Sequence, residues 1–379
     1  MESDQASQMP LKQKIESSVW ARFLGRRPSV VAPISLSASV KKTILSEYFV
    51  LYLSIFYLIV LGPFVPGLFG AQNITDVLSN MWPLLIIAIG QTFVLITAGI
   101  DLSQTSVMAL TSVIGAMLMA THPDPILFSK SPLWHVILFE NGGLFAGYPF
   151  AVGGAIVVML AIGAAVGLFN GIAVALFRMP AFIVTLVSMM FFSAVAIYLP
   201  KSENIRGLPD TFTGIASGSL GFLSYPFLLA ICVAVVAHLL LSKTLYGRRL
   251  YAIGINPTAS AISGIPTARI IVCAYVISAL CATLGGILYS SRLEMGRPTL
   301  GAMQFIDIVG ANVIAGVSLA GGKGKVTWTF FGVFFFVLLA NTLNLLNLPF
   351  YMIDIVKGLV ILAAALLDVM RNRAALQSR

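Results

Sequence analysis

Few side chains in the apolar segments of this chain could carry chemistry, and most of those that could are uncharged amides. Gln91, Asn170, Asn312, Asn341 and Asn344 each lie within or beside a run of apolar residues. In such a setting an amide either holds helices together by hydrogen bonds or lines a path for a neutral polar solute. Both interpretations stay open for all five residues, and we take them as candidates for a translocation pathway.

Asp101 is a carboxylate within a break in the apolar pattern, the segment 98–104 (Ala-Gly-Ile-Asp-Leu-Ser-Gln). Its side chain could face a pathway, cap the start of a helix or lie at a membrane interface. The pattern Gly-Ile-Asp-Leu-Ser is typical of a turn whose aspartate accepts hydrogen bonds from nearby backbone N–H groups. We therefore predict a structural turn at Asp101.

The other charged residues of the apolar segments disfavour two classes of protein. Asp354 and Lys357 are three residues apart, and this spacing predicts an ion pair on one helix face. No series of Asp, Glu and His runs through these segments, which disfavours a proton-coupled secondary transporter. Asp101 and Asp307 have no visible partners, so the paired groups that an intramembrane enzyme needs are not evident.

Nucleotide and metal chemistry are also not indicated for this chain. The segment 321–327 (Gly-Gly-Lys-Gly-Lys-Val-Thr) departs from a phosphate-binding loop, because a valine follows the lysine where Ser or Thr is required. The histidines and cysteines are scattered without metal-ligand spacing. We expect no metal and no cofactor in this chain, and any ATP hydrolysis that drives it would take place on another subunit.

The composition places these side chains in a membrane. Of the 379 residues, 58% are hydrophobic and 10% are charged, whereas a soluble domain carries about 25% charged residues. A helix needs about 20 apolar residues to cross a bilayer. We predict an all-α polytopic membrane protein with about ten transmembrane helices, some of them broken or re-entrant. The predicted spans are 44–62, 81–98, 105–120, 150–176, 180–199, 222–242, 270–290, 303–320, 327–346 and 351–369.

The distribution of Lys and Arg predicts how the chain is oriented. With a cytoplasmic N-terminus, most of the 23 lysines and arginines fall on the cytoplasmic side, as the positive-inside rule requires. This predicts cytoplasmic termini, a basic and partly disordered tail at 1–43, a transmembrane domain at 44–370 and a second tail at 371–379. The net charge of +9 is thus explained by the lipid bilayer, and we expect no nucleic-acid partner. The outer loop 121–149 is either a connector or a docking surface.

A polar, basic loop at 243–269 separates two long apolar segments and carries the signals of a short helix. Asn256 is a good N-cap, and Pro257 occupies the first helical position, where its missing N–H costs nothing. Gly264 can adopt the left-handed conformation that closes a helix. These signals predict a short helix over 256–264 that lies at the membrane surface.

Three blocks of sequence, at 90–103, 246–265 and 313–326, occur in one order along the chain. The first is similar to a Thr-x-Gly-Gly-Ile-Asp-Leu-Ser signature, although Ala98 stands where glycine is common. The block at 246–265 is similar to a cytoplasmic loop that presents a short coupling helix, and the block at 313–326 ends in the glycine–lysine turn. Together the blocks resemble the permease subunits of bacterial ATP-binding-cassette (ABC) importers of the ribose, xylose and galactose type. The outer loop 121–149 is longer than usual for that family.

The resemblance implies an ABC permease of the bacterial inner membrane that imports a sugar. It implies a homodimer, two peripheral ABC ATPase subunits that carry ATP-Mg, and a periplasmic sugar-binding protein. The ATPase would act on the short helix and tilt the bundle to give alternating access. The coupling residues implied in this chain are Gly254, Asn256, Pro257, Ala259, Ser260 and Gly264.

Three alternatives stay open from the sequence. A permease for branched-chain amino acids or nucleosides would share the architecture, but the mostly neutral pathway candidates favour sugars and polyols. An ion-coupled secondary transporter or channel would need coupling residues or a repeated filter. An intramembrane enzyme would need paired catalytic groups.

Overall fold

The computed structural model describes Ser46 and residues 48–377, and this part is built from α-helices with two short β-hairpins. The predicted tail at 1–43 lies outside the described residues. The first helices are α1 (Phe49–Leu61), α2 (Ala71–Ile96), α3 (Gln104–Met119), α4 (Pro125–Phe128), α5 (Ala151–Ala175), α6 (Ala181–Tyr198) and α7 (Asp210–Ser217). The others are α8 (Tyr225–Lys243), α9 (Leu245–Ile255), α10 (Pro257–Ile262), α11 (Thr267–Leu293), α12 (Phe305–Ala315), α13 (Val326–Leu345) and α14 (Phe350–Gln377).

Six helices in the described part are long and apolar enough to cross a bilayer, namely α2, α5, α6, α8, α11 and α13. The shorter apolar helices α1, α3 and α12 also coincide with predicted spans. The all-α membrane class is therefore confirmed. With 11 residues, α12 rises only about 16 Å and covers about half of a hydrocarbon core of about 30 Å. The last helix continues to Gln377, beyond the predicted end of its span at 369.

The centre of the bundle is formed by α2 and α11. Within its most apolar 18-residue window, α2 is 89% buried, whereas the corresponding windows of α6 and α8 are only 22% buried. A helix that is apolar all round and buried all round belongs to the interior of a bundle. The side chains of α2 are therefore held by neighbours on nearly every side.

A face of α5 made of glycines lets this helix approach α11 closely. Gly163, Gly167 and Gly171 repeat every four residues and so lie on one face. A Cβ on Gly163 would lie 2.0 Å from the Thr283 Oγ1, and one on Gly167 would lie 2.7 Å from the Tyr275 carbonyl oxygen. Small residues on one face bring membrane helices together in this way.

The predicted break in the apolar pattern at 98–104 is present, and a second break occurs at the glycine–lysine turn. The first separates α2 from α3, and Ala98 takes a left-handed conformation there with φ 61°. The second follows α12, where Gly316 closes the helix with φ 90°. Gly321 and Gly322 then turn the chain with φ values of 84° and 73°. Such backbone is tolerated at membrane depth only where protein or a water-filled path surrounds it.

The 243–269 loop contains the predicted short helix and a second helix that the sequence signals did not predict. In α10, the Asn256 side chain accepts a hydrogen bond from the Ala259 N at 2.9 Å, and Gly264 has φ 78°. The unpredicted helix is α9, which the Thr244 hydroxyl caps by accepting from the Gly247 N at 3.3 Å. The sequence of α9 mixes Arg, Tyr and aliphatic residues, and it is neither fully apolar nor fully polar. Hydrophobic periodicity therefore did not predict this helix.

The long loop at 121–149 folds back onto the end of α3. It contains α4 and the antiparallel hairpin formed by β1 (Leu138–Phe139) and β2 (Gly142–Gly143). The Gly143 N donates to the Ala120 carbonyl oxygen at 2.7 Å. A second hairpin, β3 (Ser219–Leu220) and β4 (Leu223–Ser224), joins α7 to α8. Whether the longer loop is a connector or a docking surface stays a prediction.

Candidate functional site

The end of α9 meets the end of α2 and the glycine turn at closely packed backbone atoms. The Gly322 N donates to the Ile96 carbonyl oxygen at 2.9 Å. A Cβ on Gly254 would lie 1.8 Å from that same oxygen and 2.5 Å from the Gly322 N. No side chain fits there, so glycine is the residue that allows three chain segments to touch. We call this contact, formed by Ile96, Ala98, Gly254, Gly321 and Gly322, the junction.

Two further contacts hold α9 in place at the junction. A Cβ on Gly321 would lie 2.9 Å from the Ala98 Cβ and 2.9 Å from the Gly254 carbonyl oxygen. The Tyr251 hydroxyl donates to the Gly324 carbonyl oxygen at 2.5 Å. Burial raises the pKa of Tyr251 above its ordinary value, so the hydroxyl keeps its proton and remains a donor. Because packed interfaces deform little, a movement of α9 must displace the ends of α2 and of the glycine turn.

Asp101 lies just beyond the junction and ties the first break to α11. Its Oδ1 accepts from the Ser103 N at 3.0 Å and from the Ser103 Oγ at 2.6 Å. Its Oδ2 accepts from the Ser278 Oγ at 2.7 Å. The residue is only 1% exposed, and these donors satisfy a carboxylate that a buried position would otherwise penalise. This is the geometry that the structural-turn interpretation requires.

Two of the five candidate amides belong to the surroundings of Asp101, and both are fully buried. The Asn170 Nδ2 donates to the Ser103 Oγ at 2.8 Å, while the Ser188 hydroxyl donates to the Asn170 Oδ1. In the amide orientation that matches donors with acceptors, Gln91 donates to the Asp101 carbonyl oxygen at 3.1 Å and accepts from the Asp101 N at 3.2 Å. These contacts fasten α2, α5 and α6 to the turn.

Asn312 is the centre of a second buried cluster, which joins α2, α12 and α13. Its Oδ1 accepts from the Thr92 Oγ1 at 2.8 Å and from the Thr329 Oγ1 at 3.1 Å. Its Nδ2 donates to the carbonyl oxygens of Ala88 and Ile308, both at 3.0 Å. All four hydrogen bonds that an asparagine side chain can make are therefore present. A saturated amide of this kind holds the short helix α12 against the long helices beside it.

Comparison with known proteins identifies the architecture to which these contacts belong. A family model described as the permease component of the branched-chain amino acid transport system matches residues 73–365. This chain belongs to that permease family. It is accordingly a transporter subunit, a multi-pass protein of the bacterial inner membrane, and not an enzyme.

The curated relatives of this permease match most of its length. The ribose import permease protein RbsC of Haemophilus influenzae is 34% identical over 307 residues, which is 80% of this chain and 87% of the relative. RbsC of Bacillus subtilis is 33% identical over 320 residues, or 84% of this chain and 91% of the relative. The galactose/methyl galactoside import permease protein MglC of Haemophilus influenzae is 30% identical over 331 residues, covering 85% and 92%. No solved structure matches the chain.

The remaining two candidate amides of the permease lie in different surroundings. Asn341 forms a reciprocal amide pair with Asn73, with N–O distances of 3.0 and 2.8 Å, and so ties α13 to the start of α2. Asn344 is exposed on the same helix. Four of the five amides thus bond to a different segment of the chain, and a pathway role for any of the five stays a prediction.

The charged pair of the permease differs from the one predicted. The Lys357 Nζ lies 2.7 Å from the Asp307 Oδ1, so its partner is on α12 and not the nearby Asp354. The prediction of an Asp354–Lys357 pair was wrong, and Asp307 does have a partner. Spacing within one helix cannot reveal this, because the two residues are brought together only by the packing of α12 against α14. A buried lysine needs an opposite charge in contact with it, and Asp307 supplies that charge.

Proposed function

We propose that this chain is the membrane-spanning permease of an ATP-driven importer that moves a sugar or related polyol across the inner membrane. The observation that carries the proposal is the similarity, over about four fifths of the chain, to permeases named for ribose import. Further relatives are named for L-arabinose and for galactose and methyl galactoside. A binding protein in the periplasm would deliver the sugar, and a separate ABC ATPase would supply the energy.

The family description names branched-chain amino acids, and this gives the main competing substrate class. An amino acid carries two opposite charges that a permease must accommodate. The described part of the transmembrane helices buries the Lys357–Asp307 pair and Asp101, and each is already satisfied by protein groups. Uncharged amides and hydroxyls dominate the remaining buried polar residues, which favours a neutral solute such as a sugar over an amino acid.

The proposed topology has ten crossings, with both termini and the 243–269 loop in the cytoplasm. The distribution of Lys and Arg supports this orientation. The proposed N-terminal tail covers 1–43 and the transmembrane domain begins at 44, whereas the last helix ends later than predicted, because α14 continues to Gln377. The helix α12 is too short to cross the bilayer by itself, so in the proposed topology α12 and the turn that follows it form one crossing together.

The ATPase would bind the surface of α9 and α10. The implied coupling residues divide into two groups by exposure. Asn256, Pro257, Ala259 and Gly264 are exposed, whereas Ser260 is only 5% exposed and Gly254 is half-buried. The exposed group would contact the ATPase, and the inner group would transmit its movement through the junction.

Exposed apolar side chains flank this surface. Ile255 is 75% exposed and Ile262 is 83% exposed, which is unusual for isoleucine on a cytoplasmic helix and suits burial in a groove of a partner protein. Alternating access would follow when ATP-driven closure of two ATPase subunits moves α9 and α10. We propose a homodimer of this permease, with ATP-Mg held by the ATPase and no cofactor in this chain.

The test is to isolate the permease with its co-assembled ATPase and to measure uptake and ATP hydrolysis together. Ribose, arabinose and galactose, each carried by the loaded binding protein, are compared with leucine and with a nucleoside. We expect one or more of the sugars to stimulate ATP hydrolysis and to be imported. Import of leucine or the nucleoside alone would contradict the sugar assignment.

An ion-coupled secondary transporter is distinguished in the same preparation. Uptake by an ABC importer stops when ATP is depleted and continues when the proton gradient is collapsed. The opposite pattern, with uptake that survives ATP depletion, would contradict the proposal.

A further inference from the structure

A cavity of about 170 Å³ opens between α2, α7, α8 and α11, at the ends of these helices away from the 243–269 loop. No sequence motif marks it, because its walls come from four distant segments. Its lining is unusually polar for this chain. Its lining includes the polar side chains of Ser79, Thr213, Ser217, Arg292 and Glu294, together with the indole ring of Trp82.

The lining combines the groups that recognise a small neutral polyhydroxylated ligand. Arg292 has a planar fork of five N–H donors, and its bond to the Asn80 Oδ1 at 2.8 Å orients that fork while using one of them. Glu294 supplies acceptors, and Trp82 supplies an aromatic wall. A few placed polar groups against an apolar wall are what fix the orientation of a small ligand in a pocket.

One wall of the cavity is fastened to α11 and must move with it. The Ser291 Oγ lies 2.8 Å from the Phe212 carbonyl oxygen and 3.0 Å from the Thr213 carbonyl oxygen. The same oxygen accepts from the Ala216 N at 2.8 Å. These hydrogen bonds of the Ser291 hydroxyl attach α7 to the end of α11. We therefore expect α7 and α11 to move together on this side of the cavity.

Two of the helices that form the cavity, α8 and α11, carry the 243–269 loop at their other ends. The C-terminal end of α8 leads directly into α9, and α11 begins directly after α10. The C-terminal end of α2 contacts α9 at the junction. Three of the four walls therefore connect to the surface on which the ATPase would act.

We propose that this cavity receives one monosaccharide during its passage from the binding protein, and that movement of the 243–269 loop opens and closes it. The inference rests on the proposed function and adds a site and residues to it. Arg292 and Glu294 contact the sugar hydroxyl groups, and Trp82 contacts its C–H face. An amino acid, whose carboxylate and ammonium groups would pair with Arg292 and Glu294, is distinguished from a sugar by the uptake comparison described above.

The first test compares two exposed arginines, Arg292→Ala and Arg297→Ala, in the complete importer. Arg297 is not part of the cavity lining, and it serves as the matched control. We expect Arg292→Ala to lower the maximal uptake rate about tenfold, as loss of hydrogen bonds from a charged donor predicts. Arg297→Ala should keep both sugar uptake and the ATP hydrolysis stimulated by the loaded binding protein within about twofold of the wild type.

The second test detects the sugar in the cavity directly and does not depend on a transport defect. Ser217→Cys and the control Ser219→Cys, both at exposed positions, are labelled with a membrane-impermeant maleimide. The natural cysteines Cys232, Cys273 and Cys281 are replaced by alanine. With ATP and loaded binding protein, labelling at position 217 should slow at least about twofold, as half-occupancy predicts. With unloaded binding protein it should not slow, and labelling at position 219 should not depend on the sugar.

The outcomes separate this inference from the proposed function. If the wild-type importer takes up none of ribose, arabinose or galactose, the proposed function fails and the cavity assignment fails with it. If the wild type imports a sugar, but loaded and unloaded binding protein give equal labelling at position 217 and Arg292→Ala transports normally, only the cavity assignment is overturned.

Discussion

The junction and the Arg292 cavity lie at opposite ends of the same helices and are built in opposite ways. At the junction, backbone atoms touch, and a single methyl group on Gly254 would lie 1.8 Å from a carbonyl oxygen. The cavity leaves about 170 Å³ open and is lined by side chains. Along the 27 residues of α11, a helix spans about 40 Å. A contact that transmits movement has to be closely packed, whereas a site that receives a ligand needs an open volume.

The largest effect is expected from filling the junction with Gly254→Val. Overpacking of a tight contact costs about 1–3 kcal/mol, so we expect uptake to fall about 10- to 100-fold. Gly153→Val is the matched control, because a Cβ at Gly153 meets nothing within 4 Å. Both are measured as sugar uptake and ATP hydrolysis in the same vesicles. Loss of uptake with retained ATP hydrolysis indicates uncoupling. Wild-type uptake by Gly254→Val would contradict the claim that the junction transmits the movement of α9.

A comparable but more local effect is expected from Asp101→Asn, which lies next to the junction. The amide replaces one acceptor oxygen with a donor that faces the Ser103 or Ser278 donors. Leaving buried donors unsatisfied costs about 1–3 kcal/mol. The thermal unfolding temperature of the purified permease should fall, whereas Asp76→Asn, whose side chain makes only an exposed contact to Gln72, should leave it unchanged. Equal unfolding temperatures for the two variants would contradict a structural turn at Asp101.

A smaller effect separates the two interpretations of the candidate amides. Asn312→Ala removes an amide whose four hydrogen bonds join three helices. Polar contacts between membrane helices contribute about 1 kcal/mol each. We expect a lower unfolding temperature for Asn312→Ala and no change for the exposed Asn344→Ala. If Asn344→Ala instead lowers sugar uptake while its unfolding temperature is unchanged, Asn344 lines the pathway. If Asn312→Ala changes sugar uptake without changing the unfolding temperature, the interpretation that Asn312 holds the helices together is wrong.

The smallest effect is expected from Ala98→Gly, which relaxes the junction without filling it. Ala98 has φ 61°, and a left-handed conformation costs a residue with a Cβ about 1–2 kcal/mol. Glycine should therefore raise the unfolding temperature slightly. The matched control is Ala120→Gly, because φ at Ala120 is −56° and alanine is not strained there. This change should lower the unfolding temperature. A lower unfolding temperature for Ala98→Gly would show that the Ala98 methyl contact with the glycine turn outweighs the strain.

Local signals in the sequence predicted local structure well. Asn256, Pro257 and Gly264 predicted α10 correctly, because capping and left-handed closure depend on a few neighbouring residues. The hydrogen bond from the Ser103 N to Asp101 follows from a pattern of five residues in the same way. The membrane class followed from composition, which needs no knowledge of packing.

Contacts between distant segments could not be predicted from the sequence. The junction joins Ile96, Gly254 and Gly322, which are separated by more than 60 positions in the chain, and nothing local distinguishes Gly254 from other glycines. Lys357 has its partner on another helix for the same reason. The cavity around Arg292 draws on four segments, so its polar residues cannot be told from ordinary loop residues until the helices are assembled.

Photo-crosslinking can establish directly which protein contacts the 243–269 loop in the assembled importer. A photoreactive amino acid at Ile262, which is 83% exposed, is activated in intact membranes, and another at the exposed Phe222, on the hairpin before α8, serves as the control. We predict that the probe at position 262 captures the ATPase subunit, more strongly with ATP bound, and that the probe at position 222 does not. Capture of the ATPase at position 222 alone, or of a periplasmic protein at position 262, would contradict the proposal that the 243–269 loop binds the ATPase in the cytoplasm.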